Sequence, residues 1–428
     1  MLNIEERKAI IALIKREVVP AIGCTEPVAV ALCVARAKEL LGVLPENMSV
    51  RLSANILKNA MGVGIPGTGM IGLPIAIALG AIVGRSEYGL EVLKDADENA
   101  VENGRQYIDQ KRINIQLKSG ISEKLYIEVV ATAQNHVAEV VIAGGHTNFV
   151  YERIDDDVLL DSRQGGGQEE GDDDVALSLR KVYDFAMSAP IEEIEFILES
   201  KKLNKAAAES AFSSDYGHSL GRTLRGDREL QIMGDSIFSR ILSYTASACD
   251  ARMGGAMIPV MSNSGSGNQG ITATLPVVVY GEHCGASEEQ MIRALILSHL
   301  TVIYIKQSLG RLSALCGCVV AASGSSCGIT YLMGGGYDEV AMSVKNMIAN
   351  LTGMICDGAK PSCALKLASG VSTAVLSAMM AMEHRCVSQL EGIIDEDVDR
   401  SIHNLTAIGR EGMNETDGLI LNIMTNKC

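Results

Sequence analysis

Tryptophan is absent from this 428-residue chain and phenylalanine occurs only five times, so aromatic residues make up 4% of it. So few rings cannot form the aromatic-basic stripe on which nucleic-acid bases stack. Basic residues are also in deficit: 37 Lys and Arg stand against 52 Asp and Glu, a net charge of -15, with no basic block. Nucleic acid is therefore not the expected partner. Met1–Lys8 is mixed polar and charged, with no charged-then-apolar leader, and the cysteine count of eleven is odd. Both features predict a reducing cytoplasm, not a secreted disulfide framework. Two stretches without formal charge, 60–84 and 312–337, are each about 25 residues, the length of a membrane span. The first carries seven Gly and two Pro, and neither has basic flanks with interfacial Trp. Both read as buried helices and tight loops, with no membrane partner.

What the chain has in quantity is small and apolar: 47% apolar residues, 43 Gly and 19 Met. That suffices for two or three domains with large cores packed closely around small residues. The apolar period predicts a helix over Ile4–Val18, a break at Pro20-Ala-Ile-Gly, and a second helix capped by Thr25 and running to Leu41. Met48–Ile56, Ile113–Leu117, Lys124–Ala133 and Val137–Val141 alternate as strands. Helices are expected over Ile71–Val83 and Leu90–Asp109. Gly64-Ile-Pro-Gly-Thr-Gly is a turn whose N–H groups could face an anion. The acidic, Gly-rich stretch 155–174 reads as a linker, and almost all that follows is helical in pattern. The expected fold is α+β: N-terminal helices over 1–44 returning to the helical portion, an α+β domain over 45–154, the linker, and a helical domain over 175–428.

Three cysteines carry the chemistry. Cys316 follows the apolar run Gln290–Leu315; Cys356 closes the run Val340–Ile355, and Cys363 opens the run Ala364–Met382 after the loop Asp357–Ser362. Thiolates on two lips of a tight interhelix loop, with a third from elsewhere, make a three-thiolate site. Zinc would want a fourth ligand and paired Cys-x-x-Cys knuckles, which are absent. A three-cysteine set with one corner free suits a catalytic iron–sulfur cluster. On spacing alone Cys318 and Cys327 compete with Cys316 as third ligand. Cys24 lies at the start of the second helix, where the dipole and unpaired N–H groups favour thiolate. His146, just after a strand, is a candidate acid or substrate ligand. Ser262-Asn-Ser-Gly-Ser-Gly-Asn-Gln-Gly, ahead of a helix near Ile271, forms an anion nest in which Ser262, Asn263, Ser264 and Asn268 could hold a carboxylate.

These segments resemble a known family. Arg311-Leu-Ser-Ala-Leu-Cys, Gly353-Met-Ile-Cys-Asp-Gly-Ala and Pro361-Ser-Cys-Ala are similar to the cluster-binding segments of the oxygen-sensitive iron–sulfur L-cysteine desulfidases, relatives of the iron–sulfur L-serine dehydratases. Gly23-Cys-Thr-Glu-Pro, Asn55-Ile-Leu-Lys-Asn, Pro66-Gly-Thr-Gly, Gly144-Gly-His-Thr-Asn and Ser262-Asn-Ser-Gly-Ser-Gly-Asn-Gln-Gly extend the likeness over nearly the whole chain. The resemblance implies a [4Fe–4S] cluster on Cys316, Cys356 and Cys363. It also implies Cys24 as the catalytic base and His146 beside it, with substrate contacts from Lys58, Asn59, Thr147 and Asn148 as well as the Ser262–Asn268 loop. The seven-residue step from Cys356 to Cys363 favours the desulfidase branch, in which L-cysteine gives pyruvate, ammonia and sulfide. The alternatives are an L-serine dehydratase and a non-catalytic iron–sulfur redox sensor. Cys428, whose thiol and α-carboxylate imitate those of L-cysteine, could fold back as a fourth ligand. A small amino-acid substrate and a homodimer, the commonest oligomer, complete the expectation.

Overall fold

The computed structural model describes residues 3–121, 123–163, 175–310 and 313–426. Cys428, Arg311, Leu312 and most of the acidic Gly-rich stretch lie outside these residues. The fold is α+β with a helical majority, and its strands fall into two sets. β1 (Pro20–Ile22) pairs only with β8 (Pro259–Met261). β2 (Asn47–Leu52), β3 (Ile113–Leu117), β4 (Tyr126–Ala133), β5 (His136–Ala143), β6 (Phe149–Ile154) and β7 (Asp157–Asp161) form a mixed sheet in the order β3-β2-β4-β5-β6-β7.

Alternation explains the sheet. Met48, Val50 and Leu52 of β2, Ile127, Val129 and Ala131 of β4, and Ala138, Val140 and Ile142 of β5 are all buried in one core. β4 and β5 join through Gln134 and Asn135, both at positive φ, the geometry of a two-residue hairpin turn. β6 and β7 were not legible in the composition. Asp155 and Asp156, the start of the expected linker, instead make the turn between them. Asp155 accepts the Val137 N–H at 2.9 Å and pairs with His136 at 2.7 Å. Aspartate bonds its neighbours' backbone in turns, which composition cannot distinguish from a solvated tether.

The helix Ile4–Glu17 packs on the helical body through Ile10, Leu13 and Ile14. Thr25–Leu41 does not: it lies in the core of the sheet, buried on all sides from Val28 to Ala35. The helix Leu73–Ile82 covers it, so close at Gly80 that a Cβ there would stand 2.6 Å from the Ala31 carbonyl oxygen. Small residues thus set the spacing. Three expected boundaries move. Lys58 and Asn59 fall on a short helix, Ala54–Ala60, beyond the end of β2. The segment 86–96 is a 3₁₀ turn and loop before the helix Glu98–Asp109. The N–H groups of Gly64 and Gly67 donate to Met253 and Gly255 carbonyls, so the 64–69 turn is docked on the helical body, not open to an anion.

The helical body is built from Ile237–Met253, Gly267–Cys284, Glu288–Leu309, Gly317–Leu332, Tyr337–Leu351 and Cys363–Met382. Among the described residues only Cys363–Met382 is long and apolar enough to cross a membrane. It packs against Ile237–Met253, Gly317–Leu332 and Tyr337–Leu351. The uncharged stretches noted in the sequence hold helices of ten and sixteen residues, Leu73–Ile82 and Gly317–Leu332.

The tightest contact is at Gly270, where a Cβ would fall 1.9 Å from the Met261 carbonyl oxygen. Gly270→Ala should therefore lower stability by about 1–3 kcal/mol through overpacking. Gly353→Ala, whose Cβ would meet nothing within 4 Å, should stay within about 0.5 kcal/mol. Urea unfolding of both variants checks this; equal midpoints would show that the β8 contact yields freely.

Candidate functional site

The thiols come together through backbone pairing. Leu315 and Ile355 form an isolated antiparallel bridge, with Cys316 N–H donating to Met354 O at 2.9 Å and Cys356 N–H to Ala314 O at 2.6 Å. Cys316 and Cys356 thus lie diagonally across one face of the bridge, a spacing of about 7–8 Å for such neighbours. Cys356 does not close the preceding helix, which stops at Leu351; it sits on the extended segment beyond. Cys363 is the first residue of its helix, and Cys316 immediately precedes Gly317–Leu332. Both feel the positive end of a helix dipole. The loop between Cys356 and Cys363 is held by Lys360 and Lys366, which both pair with Asp357. It backs onto Lys58, where Gly358 takes positive φ because a Cβ would stand 2.3 Å from the Lys58 carbonyl oxygen.

Two further thiols face this group. Cys318 shares a hydrogen bond with Cys316, which, with Lys366 nearby, brings Cys316 down to about 7 against the effect of burial. Cys318 is pushed well up by that bond and by burial. Cys249 is pushed up by burial and by the nearness of Cys363. Burial also raises Cys356 and Cys363. Cys327 belongs elsewhere: it lies in the other helical core and donates to Ser323 O at 3.2 Å. Among the described residues no three His, Cys, Asp or Glu side chains close on a single metal ion. The thiols form a wall, a donor set suited to a group with several metal atoms, each taking one soft ligand.

Cys24 shares one buried cluster with Cys316, Cys318, Cys363 and Cys249. It is the cap residue of Thr25–Leu41, reached through Gly23 at φ +71°, where a Cβ would strike Pro66. The helix start favours thiolate, but the structure overrides it. Cys24 Sγ donates to Glu26 Oε2 at 2.8 Å, and burial followed by the Glu26 charge pushes the thiol well above its usual range. Glu26 also accepts from Thr25 at 3.1 Å and from Asn59 at 3.2 Å. Burial pushes its carboxyl up, but His146, the Cys24 thiol and Arg252 outweigh that and hold it below the ordinary range.

The remaining candidates divide. His146 reaches this group electrostatically and stands against Gly265, whose Cβ would lie 3.9 Å from the ring. Thr147 and Asn148 are exposed, and Asn148 closes the β5–β6 turn through Ala143 O at 2.9 Å. Lys58 is buried and paired with Asp417 of the last helix, Asn414–Thr425. In the glycine loop, Ser262 bonds Val19 O at 2.6 Å and Ser264 bonds Asn263 Oδ1 at 2.8 Å. Asn263 holds His299 at 3.0 Å, an imidazole pushed down to about 3 by burial and therefore neutral. Those three side chains shape the loop. Asn268 alone turns to the thiols, accepting from Cys249 Sγ at 3.6 Å.

Sequence reasoning missed Glu26, Cys249, Arg252 and Gln269. Glu26 and Gln269 lie inside motifs it singled out, and Arg252 lies beside one, but neither periodicity nor spacing says which polar residues are buried. The Gln269 side chain stands about 3 Å from where a Cβ would sit on Gly317, next to Cys316, and its Oε1 is buried with no hydrogen-bond partner among the described residues.

Glu26→Gln should lower the Cys24 pKa, since it removes the adjacent negative charge. Alkylation of Cys24 by iodoacetamide at pH 8, read by peptide mass spectrometry, is expected to run several-fold faster than in the unsubstituted protein. An unchanged rate would leave burial as the whole cause.

Residues 87–422 fit the family described as serine dehydratase alpha chain. The chain is 71% identical over 422 residues to a UPF0597 protein of Bacteroides fragilis, covering 99% of both chains. It is equally identical to one from Bacteroides thetaiotaomicron, covering 99% of this chain and 98% of that one. A UPF0597 protein of Oleidesulfovibrio alaskensis is 45% identical over 97% of both. With a match over most of its length and relatives this similar end to end, the chain belongs to the serine dehydratase alpha chain family.

Proposed function

We propose that this family member is an L-cysteine desulfidase, a lyase that eliminates sulfide from L-cysteine to leave pyruvate and ammonia. The observation that carries it is Cys24, buried in one cluster with Cys316 and Cys363 and hydrogen-bonded to a carboxylate. Cys316, Cys356 and Cys363 would hold a [4Fe–4S] cluster: three soft donors, Cys316 and Cys363 buried and Cys356 half-buried, brought together by the Leu315–Ile355 bridge and the short loop 357–362. When bound there, such a cluster supplies a Lewis acid that draws charge from the substrate's leaving group.

The chain's own residues handle the proton. Cys24 sulfur takes the Cα proton of the substrate while Glu26, already aligned at 2.8 Å, accepts the thiol's own proton. The electron pair of the broken Cα–H bond forms the Cα–Cβ double bond, and the Cβ–S bond breaks with both electrons going to sulfide. The aminoacrylate released tautomerises to an imine and is hydrolysed by water. Thr25 and Asn59 fix the Glu26 carboxylate, so the thiol's direction is set before substrate arrives. The buried setting excludes water from the proton path.

The second reading, an L-serine dehydratase, is favoured by the description of the matching family. Anaerobically prepared protein should release sulfide and pyruvate from L-cysteine at a kcat/KM at least tenfold above that for pyruvate from L-serine. The reverse preference would establish the second reading, and release from neither would leave a non-catalytic protein. Cys356→Ala and Cys363→Ala should each lose iron and visible absorbance, whereas Cys24→Ala should keep both and lose turnover. Full iron in both single variants would remove these cysteines as ligands.

A further inference from the structure

Arg252, whose charge acts on Cys24, is 3% exposed at the end of Ile237–Met253. A buried guanidinium carries five N–H donors and is costly to leave unsatisfied. Its Nε donates to the Gly23 carbonyl oxygen at 3.1 Å. Neither terminal nitrogen donates to any described residue, and no carboxylate among them forms an ion pair with it.

Its position is built. Gly267, the first residue of the eighteen-residue helix Gly267–Cys284, lies directly beneath the guanidinium; a Cβ there would stand 2.3 Å from Nε and 2.9 Å from Cζ. The fork therefore lies on the N-terminus of that helix, where orphan N–H groups and the dipole favour an anion. One side is the Gly23–Cys24 turn. Two residues along the same helix is Gln269, beside Cys316, whose side-chain Oε1 is buried without a hydrogen-bond partner among the described residues. Arg252 also acts electrostatically on Cys24, Glu26 and Cys249.

The geometry points to Arg252 as the seat of the substrate's α-carboxylate, gripping it with the two free guanidinium nitrogens while Gln269 meets the substrate's polar atoms on the Cys316 side. This rests on the amino-acid lyase function proposed above and makes Arg252 the specificity-determining residue for an acid over an amine. A planar fork matches a carboxylate with two parallel hydrogen bonds. With the carboxylate held there, Cα is presented towards Cys24, while the Ser262–Ser264 side chains, already engaged, serve only to shape the loop.

The test is anaerobic titration calorimetry of the iron-loaded full chain with three non-eliminating probes: L-alanine, pyruvate and ethylamine. The unsubstituted protein should bind the two carboxylates and not ethylamine. Arg252→Gln should weaken both carboxylates at least tenfold with iron content unchanged, and Arg252→Lys should recover part of the loss. Gly267→Ala, which keeps the charge but displaces the fork, should also weaken them. A fall in the ligand-free Tm of Arg252→Gln without loss of binding would mark the residue as structural and overturn the proposal. So would carboxylate binding by Arg252→Gln within twofold of the unsubstituted protein, or none by the latter. If Arg252-dependent binding holds but L-cysteine and L-serine both go unconsumed, the seat stands and the lyase function falls.

Discussion

Six residues, Pro20–Ile22 and Pro259–Met261, form the ladder that fastens the N-terminal segment to the helical body. The zipper continues past its ends, with Val19 O taking both the N–H and the hydroxyl of Ser262 and Glu17 O taking the N–H of Ser264. One strand then leads in two residues to Cys24, and the other leads directly into the glycine loop. A backbone pairing this short fixes register because each strand is pinned by buried side-chain bonds. Asn204 holds Met261 and Gly270 carbonyls, and Asn263 and Thr274 hold the neutral His299. Every member of that network is paired, so it stiffens the loop without burying a charge.

Around this seam the helix starts converge. Those at Cys24, Cys316, Cys363 and Ser266 bring positive dipole ends towards one buried space, with Arg252 adding a full charge. The nearest full negative charge is Glu26, tied to Cys24. A space so biased favours an anion, and the protein keeps the Cys24 thiol protonated through burial first and that carboxylate second. Helix starts supply attraction, burial supplies resistance, and the balance differs at each thiol: Cys316, hydrogen-bonded by Cys318, drops, whereas Cys24 climbs.

Much of this was legible where the signal was local. β3, β4 and β5 followed from alternation, and the helix from Cys363 from its apolar period. The missed features are nonlocal. Nothing near Cys316 announces that its neighbour Leu315 pairs with Ile355, so the sequence showed the ends of two apolar helical runs where a β-bridge stands. Lys58 read as a substrate contact because its counter-ion, Asp417, lies 359 residues away. The aspartates at 155 and 156 looked like a tether because a turn and a linker share a composition. Cys24 was misjudged in charge state because desolvation depends on the completed core.

The Lys58–Asp417 pair also has a bearing on the order in which the chain can be finished. A ribosome delivers Asp417 only after Lys58, 359 residues later. An ammonium cannot be buried at low cost before its partner exists, so the helix Ala54–Ala60, and with it Asn59 and the loop at Gly358, must stay partly open while the rest is made. β1 waits likewise for β8. Most of the sheet core can close during synthesis from residues already in hand, with Leu421 joining it later, whereas the thiol site is completed only after the helix Asn414–Thr425 emerges. Translation that stops short of Asp417 therefore leaves a folded sheet attached to an unfinished site.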